Sequence, residues 1–363
     1  MIITGLRGVG KTVLLNKFRE KGEAKGWAVI EFEISKHTDD DFRRQLSNQV
    51  RRALLTISPR ARWGDRAKAA AGVLRSFTIS VDPTGSVTAG FDVDAIEGQA
   101  DSGVLEIDLA DLFISVGEAA REHNTGVLLL LDEVQFLSRV QLESLVMALH
   151  KTVQRALPIT LVGAGLPQIA ELAGEAKSYS ERLFTFPMID RLSDADSHTT
   201  LTAPAEGVTF DPDALEKAYE VTGGYPFFVQ ELGYAVWPLG EDRHVTLKNV
   251  TDAERVFIAK LDSSFFRVRL DRTAELERAY LRAMAQLGPE PQLADNVASL
   301  LNRTSEQCGP TRSTLIEKGL LYTPSHGYAA FTVPHFDRFM LRSVPTLDVP
   351  AVRPRAKRTP PGR

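Results

Sequence analysis

The chain has 363 residues, 43% hydrophobic and 25% charged, with 26 glycines and 19 prolines, so it can build two or three packed units and is not disordered, collagen-like or coiled-coil over most of its length. Lys and Arg number 43 against 47 Asp and Glu, a net of -4, which excludes attachment to nucleic acid or membrane by overall charge and leaves only local contacts. A single cysteine, Cys308, excludes an internal disulfide, no charged segment leads into an apolar leader, and the longest aliphatic run, Val127 to Leu131, is far short of the ~20 residues that cross a bilayer, so a cytoplasmic location is expected.

Ile2 to Thr4 reads as the end of a buried strand, and Gly5-Leu6-Arg7-Gly8-Val9-Gly10-Lys11-Thr12 follows it. From Thr12 to Lys21 the apolar residues Val13, Leu14, Leu15 and Phe18 keep a helical period, and Trp27 to Ile34 reads as a second buried strand. Strand, helix and strand in that order imply a parallel α/β unit. Residues 36 to 126 then read as an insertion. A helix is expected from about Asp39 to Leu55, a β-hairpin with arms Phe77 to Val81 and Val87 to Val93 around Asp82-Pro83-Thr84-Gly85, and a helix from Val104 to Ala120. Its charge is polarised: nine basic residues against Asp65 from Arg43 to Arg75, then seven acidic and no basic residues from Asp92 to Asp111. The basic stretch could touch nucleic acid, or the acidic one could neutralise it within the fold.

Val127 to Leu131 is too short for a helix and ends in Asp132-Glu133, so a central strand is expected to deliver two carboxylates at its C-terminal end. A helix at 140–155, a strand at Ile159 to Val162 and a fifth strand at Leu183 to Phe186 complete the core sheet. Beyond Ser193 the spacing predicts helices near 193–203, 211–221, 226–236 and 251–263, with Pro226 in the first turn of its helix. Further helices are expected from Glu275 to Leu287, at 293–301 and at 306–318, followed by strands at Leu320 to Thr323 and Ala329 to Val333 around Pro324-Ser325-His326-Gly327. The segment from Val344 holds five prolines and five basic residues with one Asp, which suits a solvated tail.

The strongest chemical signal is Gly-x-x-x-x-Gly-Lys-Thr at residues 5 to 12, set between a strand and a helix. Glycines there let the backbone curl so that its N–H groups and the helix N-terminus point at phosphate oxygens. Gly5, Arg7, Gly8, Val9, Gly10, Lys11, Thr12 and Val13 are the expected nucleotide contacts, with Lys11 reaching the β- and γ-phosphates and the Thr12 hydroxyl taking magnesium. Asp132 is the second expected magnesium ligand, and Glu133 would orient the attacking water, so that Lys11 and Glu133 are the expected catalytic pair. Seven histidines and one cysteine show no metal-ligand spacing, and no Ser-His-Asp or Cys-His arrangement can be argued.

GLRGVGKT, LLLLDE, the strand-end ITLVGAG and TGGYP at 222–226 resemble the AAA+ and STAND branch of P-loop ATPases, closest to bacterial and archaeal ATPases related to the origin-recognition initiators. The resemblance runs from Ile2 to about Arg342. It implies a parallel five-stranded core over 1–190 carrying the inserted hairpin, an all-helical lid over 191–264, a winged-helix domain over 265–342 and a tail from 343, with ATP and Mg2+ as ligands. It further implies that Gly224 and Pro226 form the lid turn near the base, and it makes Arg182 a candidate phosphate-sensing arginine, although an exposed strand-flanking arginine fits the same position. Two departures point to slow hydrolysis. Gly163-Ala164-Gly165 stands where a polar sensor usually ends the fourth strand, and no arginine follows Pro226 in the lid helix. In a winged helix, Thr311, Arg312, Thr314 and Lys318 would be presented by the third helix, with Arg312, Thr314 and Lys318 the candidate DNA contacts and His326 and Tyr328 on the wing. Six basic against seven acidic side chains between 275 and 340 leave protein contact as the other use of that module. The expected partners are therefore nucleotide and either duplex DNA or a protein, a second copy of the chain included.

Overall fold

The structure, a computed structural model, describes residues 1–35, 38–58, 64–79, 81–82, 91, 93–176, 180–240 and 243–351. The chain separates into two compact units, Met1–Asp190 and Arg191–Arg363.

In the first unit four strands pair in parallel: β1 (Ile2–Thr4), β2 (Ala28–Glu33), β3 (Val127–Asp132) and β4 (Ile159–Gly165), in the order β1-β4-β3-β2. β3 lies inside that order, which is why its sequence is a continuous aliphatic run rather than an alternating one: Val127 to Leu131 are all buried. Each such leucine contributes roughly 2 kcal/mol by leaving water. The register places Glu33 beside Asp132 and Leu131 beside Gly163, so the ends of the strands lie together at one edge. The fifth strand expected at Leu183 to Phe186 does not form among the described residues: the sheet has four strands, and the chain meets β1 at an isolated bridge between Thr4 and Met188. Ser180–Leu183 forms a helical turn, and the extended chain after it runs along β1, with Ile2 N donating to Thr185 O, Thr4 N to Pro187 O and Ile189 N to Thr4 O, each at 2.8 Å.

Helices cover the sheet. α1 (Lys11–Ala24) follows the glycine loop, and the insertion supplies α2 (Asp39–Ile57), α3 (Asp65–Thr78) and α4 (Leu105–Glu122). α2 starts where Thr38 caps the N–H of Asp41 and three aspartates face the helix N-terminus, and it buries Phe42, Leu46, Val50, Ala53, Leu54 and Ile57 on one face. The first arm of the expected hairpin is overturned. Phe77 and Thr78 end α3, and the N–H groups of Val81 and Asp82 both bond back to Thr78 O, at 3.0 and 2.8 Å, rather than to a partner strand. The alternation of Phe77, Ile79 and Val81 was outweighed by the helical period of Ala67, Ala70, Ala71, Leu74 and Phe77, all buried. Residues 83–90, the hairpin's turn and the beginning of its second arm, lie outside the described residues, and 93–96 are not in a strand. The insertion's two charge blocks meet inside the fold where Arg43 pairs with Asp108 at 2.7 Å, both buried, while Arg66 pairs at the surface with Glu118, beyond the acidic block, at 2.7 Å. Asp108 also accepts from the N–H and hydroxyl of Ser102, which compensates its burial. α5 (Arg139–Gln154), α6 (Ile169–Ala176) and α7 (Ser180–Leu183) complete this unit.

The second unit opens with α8 (Asp194–Thr202), β5 (Thr209–Phe210), α9 (Pro212–Thr222), α10 (Pro226–Val236), β6 (His244–Val245) and α11 (Leu247–Lys260). The expected all-helical stretch thus contains a two-residue parallel pair, β5 with β6, that is too short to leave a periodicity. A π-helical segment, Leu261–Phe266, leads into α12 (Arg267–Leu270). There follow α13 (Glu275–Leu287), β7 (Gln292–Leu293), α14 (Ala294–Leu300), α15 (Ser305–Glu317), β8 (Leu321–Tyr322), β9 (Tyr328–Phe331) and α16 (Phe336–Ser343). β7, β9 and β8 pair antiparallel in that spatial order. Residues 344–351, expected as the start of a solvated tail, are instead tied down: Arg282 donates to Val344 O at 2.6 Å and Pro345 O at 3.0 Å, and Arg303 to Pro350 O at 2.7 Å. Residues 352–363 lie outside the described residues. Among the described residues no helix is long and apolar enough to cross a membrane.

Candidate functional site

The glycine loop leaves β1 and enters α1. Gly8 and Gly10 have φ of 86° and 98°, a region that side chains rarely adopt, so both glycines are required by the turn. Gly5 is required for a different reason: a Cβ there would lie 2.4 Å from the Ile189 carbonyl oxygen. Gly10 is the N-cap of α1 and offers no side-chain acceptor, and the first turn holds no acidic residue. The N–H groups of that turn are thus free of side-chain caps, as an anion site requires. Val9 is buried, whereas Val13 projects to solvent, 62% exposed.

Lys11 is 7% exposed, and its ammonium donates to the carbonyls of Gly5 at 2.9 Å and Leu6 at 2.7 Å. Burial lowers its pKa from the ordinary lysine value; Glu133 and Asp132 oppose that shift and Arg7 adds to it. The Thr12 hydroxyl donates to Asp132 Oδ2 at 2.6 Å, so residues 120 positions apart in sequence are in contact. The other oxygen of Asp132 accepts the N–H of Glu133 at 2.8 Å. Glu133 itself has left-handed backbone, φ 54°, which turns the chain sharply at the end of β3, and its carboxylate lies 3.9 Å from the Arg7 guanidinium. A hydroxyl and a carboxylate oxygen at one point, beside uncapped helix N–H groups and a buried ammonium, fit a nucleotide phosphate chain with a hard divalent cation. Thr12 and Asp132 are the residues that could hold that cation.

Sequence reasoning missed Gln135. This half-buried side chain donates through Nε2 to Glu133 Oε2 and accepts the N–H of Leu166 at 3.0 Å through Oε1. No motif marks it; the contact exists only because β3 and β4 are neighbours. Arg182 is exposed on α7. Gly224, Pro226, Arg312, Thr314 and Lys318 all belong to the second unit. There Gly224, φ 69°, would bring a Cβ to 2.3 Å from Leu192 O, so packing alone demands glycine, and Pro226 is the first residue of α10. In α15, Thr314 donates to Pro310 O at 3.0 Å, and just beyond it Lys318 is bonded to Glu277 at 2.6 Å and to Arg272 O at 2.9 Å.

Comparison with known proteins agrees with this geometry. Residues 1–162 match the family model of the AAA ATPase domain, and residues 263–340 match a domain of unknown function. Among solved structures, the Walker-type ATPase of Pyrococcus abyssi is similar over 94% of this chain and 90% of its own, at 15% identity and a TM-score of 0.52. The ORC2 protein of Aeropyrum pernix, in ADPNP–ADP complexes, covers 95% and 88% at 15% identity with a TM-score of 0.47, and Cdc6p of Pyrobaculum aerophilum covers 94% and 86% at 16% with a TM-score of 0.41. A search of curated proteins found no match. Residues 1–162, which hold the glycine loop, Asp132 and Glu133, are thus similar to an AAA ATPase domain, and the fold is that of a P-loop ATPase.

Proposed function

We infer that the chain binds ATP with magnesium and hydrolyses it slowly, as a switch of the AAA+ and STAND type whose nucleotide state repositions a C-terminal winged helix. The observation that carries the reading is the meeting of Lys11, Thr12, Asp132 and Glu133 at the mouth of the glycine loop. In this reading the N–H groups of the loop and the first turn of α1 hold phosphate oxygens. Lys11 exchanges the carbonyls of Gly5 and Leu6 for phosphate; an ammonium that burial has already desolvated loses little more on doing so. Thr12 and Asp132 would hold magnesium, which when bound supplies positive charge to the phosphates. Glu133 orients the attacking water and takes its proton. Arg182 is proposed as the phosphate-sensing arginine, and Gly224 and Pro226 as the lid turn beside the base. Low turnover is supported by the small residues Gly163-Ala164-Gly165 at the end of β4.

The order helix, strand, helix, helix, strand, strand from α13 to β9, with its three-stranded antiparallel sheet, supports the winged-helix reading, in which α15 presents Arg312 and Thr314 to duplex DNA. The domains would then be a core over 1–190, a lid over 191–264 and a winged helix over 265–342. A specific observation favours a second reading, in which the module binds protein: Lys318, an expected DNA contact, is already paired with Glu277. Steady-state ATP turnover of the parent and of Glu133→Gln, each with and without duplex DNA, tests both. Glu133-dependent turnover that rises with DNA supports the first; turnover indifferent to DNA supports the second; no turnover in either condition sinks the ATPase.

A further inference from the structure

Resting on the ATPase reading above, we propose that Gln135 is the positioning residue of Glu133, clamping the water-orienting carboxylate to the exit of β4. Gln135 lies in the 3-10 turn Val134–Phe136, two residues past Glu133, and the left-handed backbone of Glu133 lets the chain turn back on itself at that point. The amide has two ends with different chemistry. The N–H of Leu166 can only donate, so Oε1 must face it and the NH2 group must face the Glu133 carboxylate; the partners fix the orientation. Arg7 approaches the other carboxylate oxygen, Oε1, only to 3.9 Å, too far for a hydrogen bond. Gln135 therefore restrains one oxygen of Glu133 and leaves the other to act.

Packing at the end of β4 is built around this clamp. A Cβ on Gly165 would lie 2.8 Å from Gln135 Oε1 and 2.8 Å from Val134 Cγ2, and one on Gly163 would lie 3.3 Å from Val134 Cγ1. The absence of side chains there is the room the turn after β3 occupies. The polar group at this strand end is supplied from the neighbouring element, and it ties Glu133 to the backbone that leads from β4 into α6. A shift of that backbone would thus move the carboxylate.

The test measures kcat, KM and the affinity for a fluorescent ATP analogue in full-length Gln135→Ala and Gln135→Glu, each alone and in the Glu133→Gln background. Gln135→Glu keeps the acceptor for Leu166 and the side-chain volume while replacing the donor to Glu133 by a carboxylate that repels it, and Gln135→Ala removes the donor without adding charge, so the two together separate positioning from packing and from charge. The expected result is a loss of kcat of about tenfold or more in both single variants with analogue affinity and Tm close to the parent's. In the Glu133→Gln background the same changes should alter the residual turnover by less than about twofold, because the group being positioned has lost its role. Parent-like kcat in both single variants, or equal losses in both backgrounds, would overturn the inference while Glu133-dependent turnover of the parent keeps the ATPase reading. A parent with no turnover removes both.

Discussion

Two lysines with similar surroundings on paper serve different ends in the two units. Lys11 is buried at the glycine loop and bonded to backbone carbonyls alone, while the carboxylates nearby, Asp132 and Glu133, are engaged with Thr12 and Gln135. Lys318 closes α15 and is matched directly to a carboxylate, Glu277, which also accepts the N–H of Ala274 at the start of α13. The first ammonium rests on weak, exchangeable acceptors; the second is consumed in holding two helices of its module together. A cation on a surface is thus read by what already satisfies it, and the C-terminal module spends several of its cations on itself, with Arg282 and Arg303 committed to the carbonyls of residues 344–350.

The contrast can be broken in four ways. The largest effect is expected in the first unit: Lys11→Ala should abolish nucleotide binding with little change in Tm, and Glu133→Gln should keep binding while lowering turnover by about 100-fold or more, read by titration of a fluorescent nucleotide and by phosphate release. Next is Lys318→Met, which leaves the largely buried Glu277 without its cation and with only the N–H of Ala274. A loss of about 1–3 kcal/mol is expected on thermal unfolding, and a variant as stable as the parent would mean that Lys318 is free for a ligand after all. Third, His335 in the second unit is pushed down to about 4 by burial first and then by Arg338, Arg191 and Arg342, against Asp337. Since the unfolded chain binds a proton near 6.5 and the folded one does not until about 4, stability should be full above pH 6.5 and fall as pH drops toward 4. His335→Asn, whose side chain tolerates the left-handed backbone at this position, φ 63°, should flatten that part of the Tm-against-pH curve; an unchanged slope would assign the loss to other groups. Smallest, the buried hydroxyl of Tyr280 has no hydrogen-bond partner among the described residues, and burial raises its pKa to about 12, so Tyr280→Phe should be neutral or stabilising by up to ~1 kcal/mol in denaturant melts.

What could be read from the chain follows the reach of each interaction. The glycine loop and the Leu-Leu-Leu-Leu-Asp-Glu strand are local patterns whose chemistry is fixed within eight and six residues, and the contact of Thr12 with Asp132 across 120 positions follows from the parallel sheet they imply. Gln135 was invisible because its meaning depends on β4 lying beside β3 and on two glycines making room. The hairpin failed where two periods compete: Phe77, Ile79 and Val81 alternate, but the alanines upstream bury a helical face that carries through Phe77. The anchoring of residues 344–351 was obscured by their proline content, since the guanidinium groups that hold them come from Arg282 and Arg303, far back in the chain.

The close approach of Gly5 to Ile189 has a mechanical consequence. The first residue of the glycine loop rests against a carbonyl of the segment that runs along β1, and the next residue, Asp190, is the last of the first unit. A side chain at residue 5 would push that carbonyl aside, so the loop and the segment that ends the first unit pack backbone to backbone, and a change as small as one methyl group at this glycine should disturb both at once.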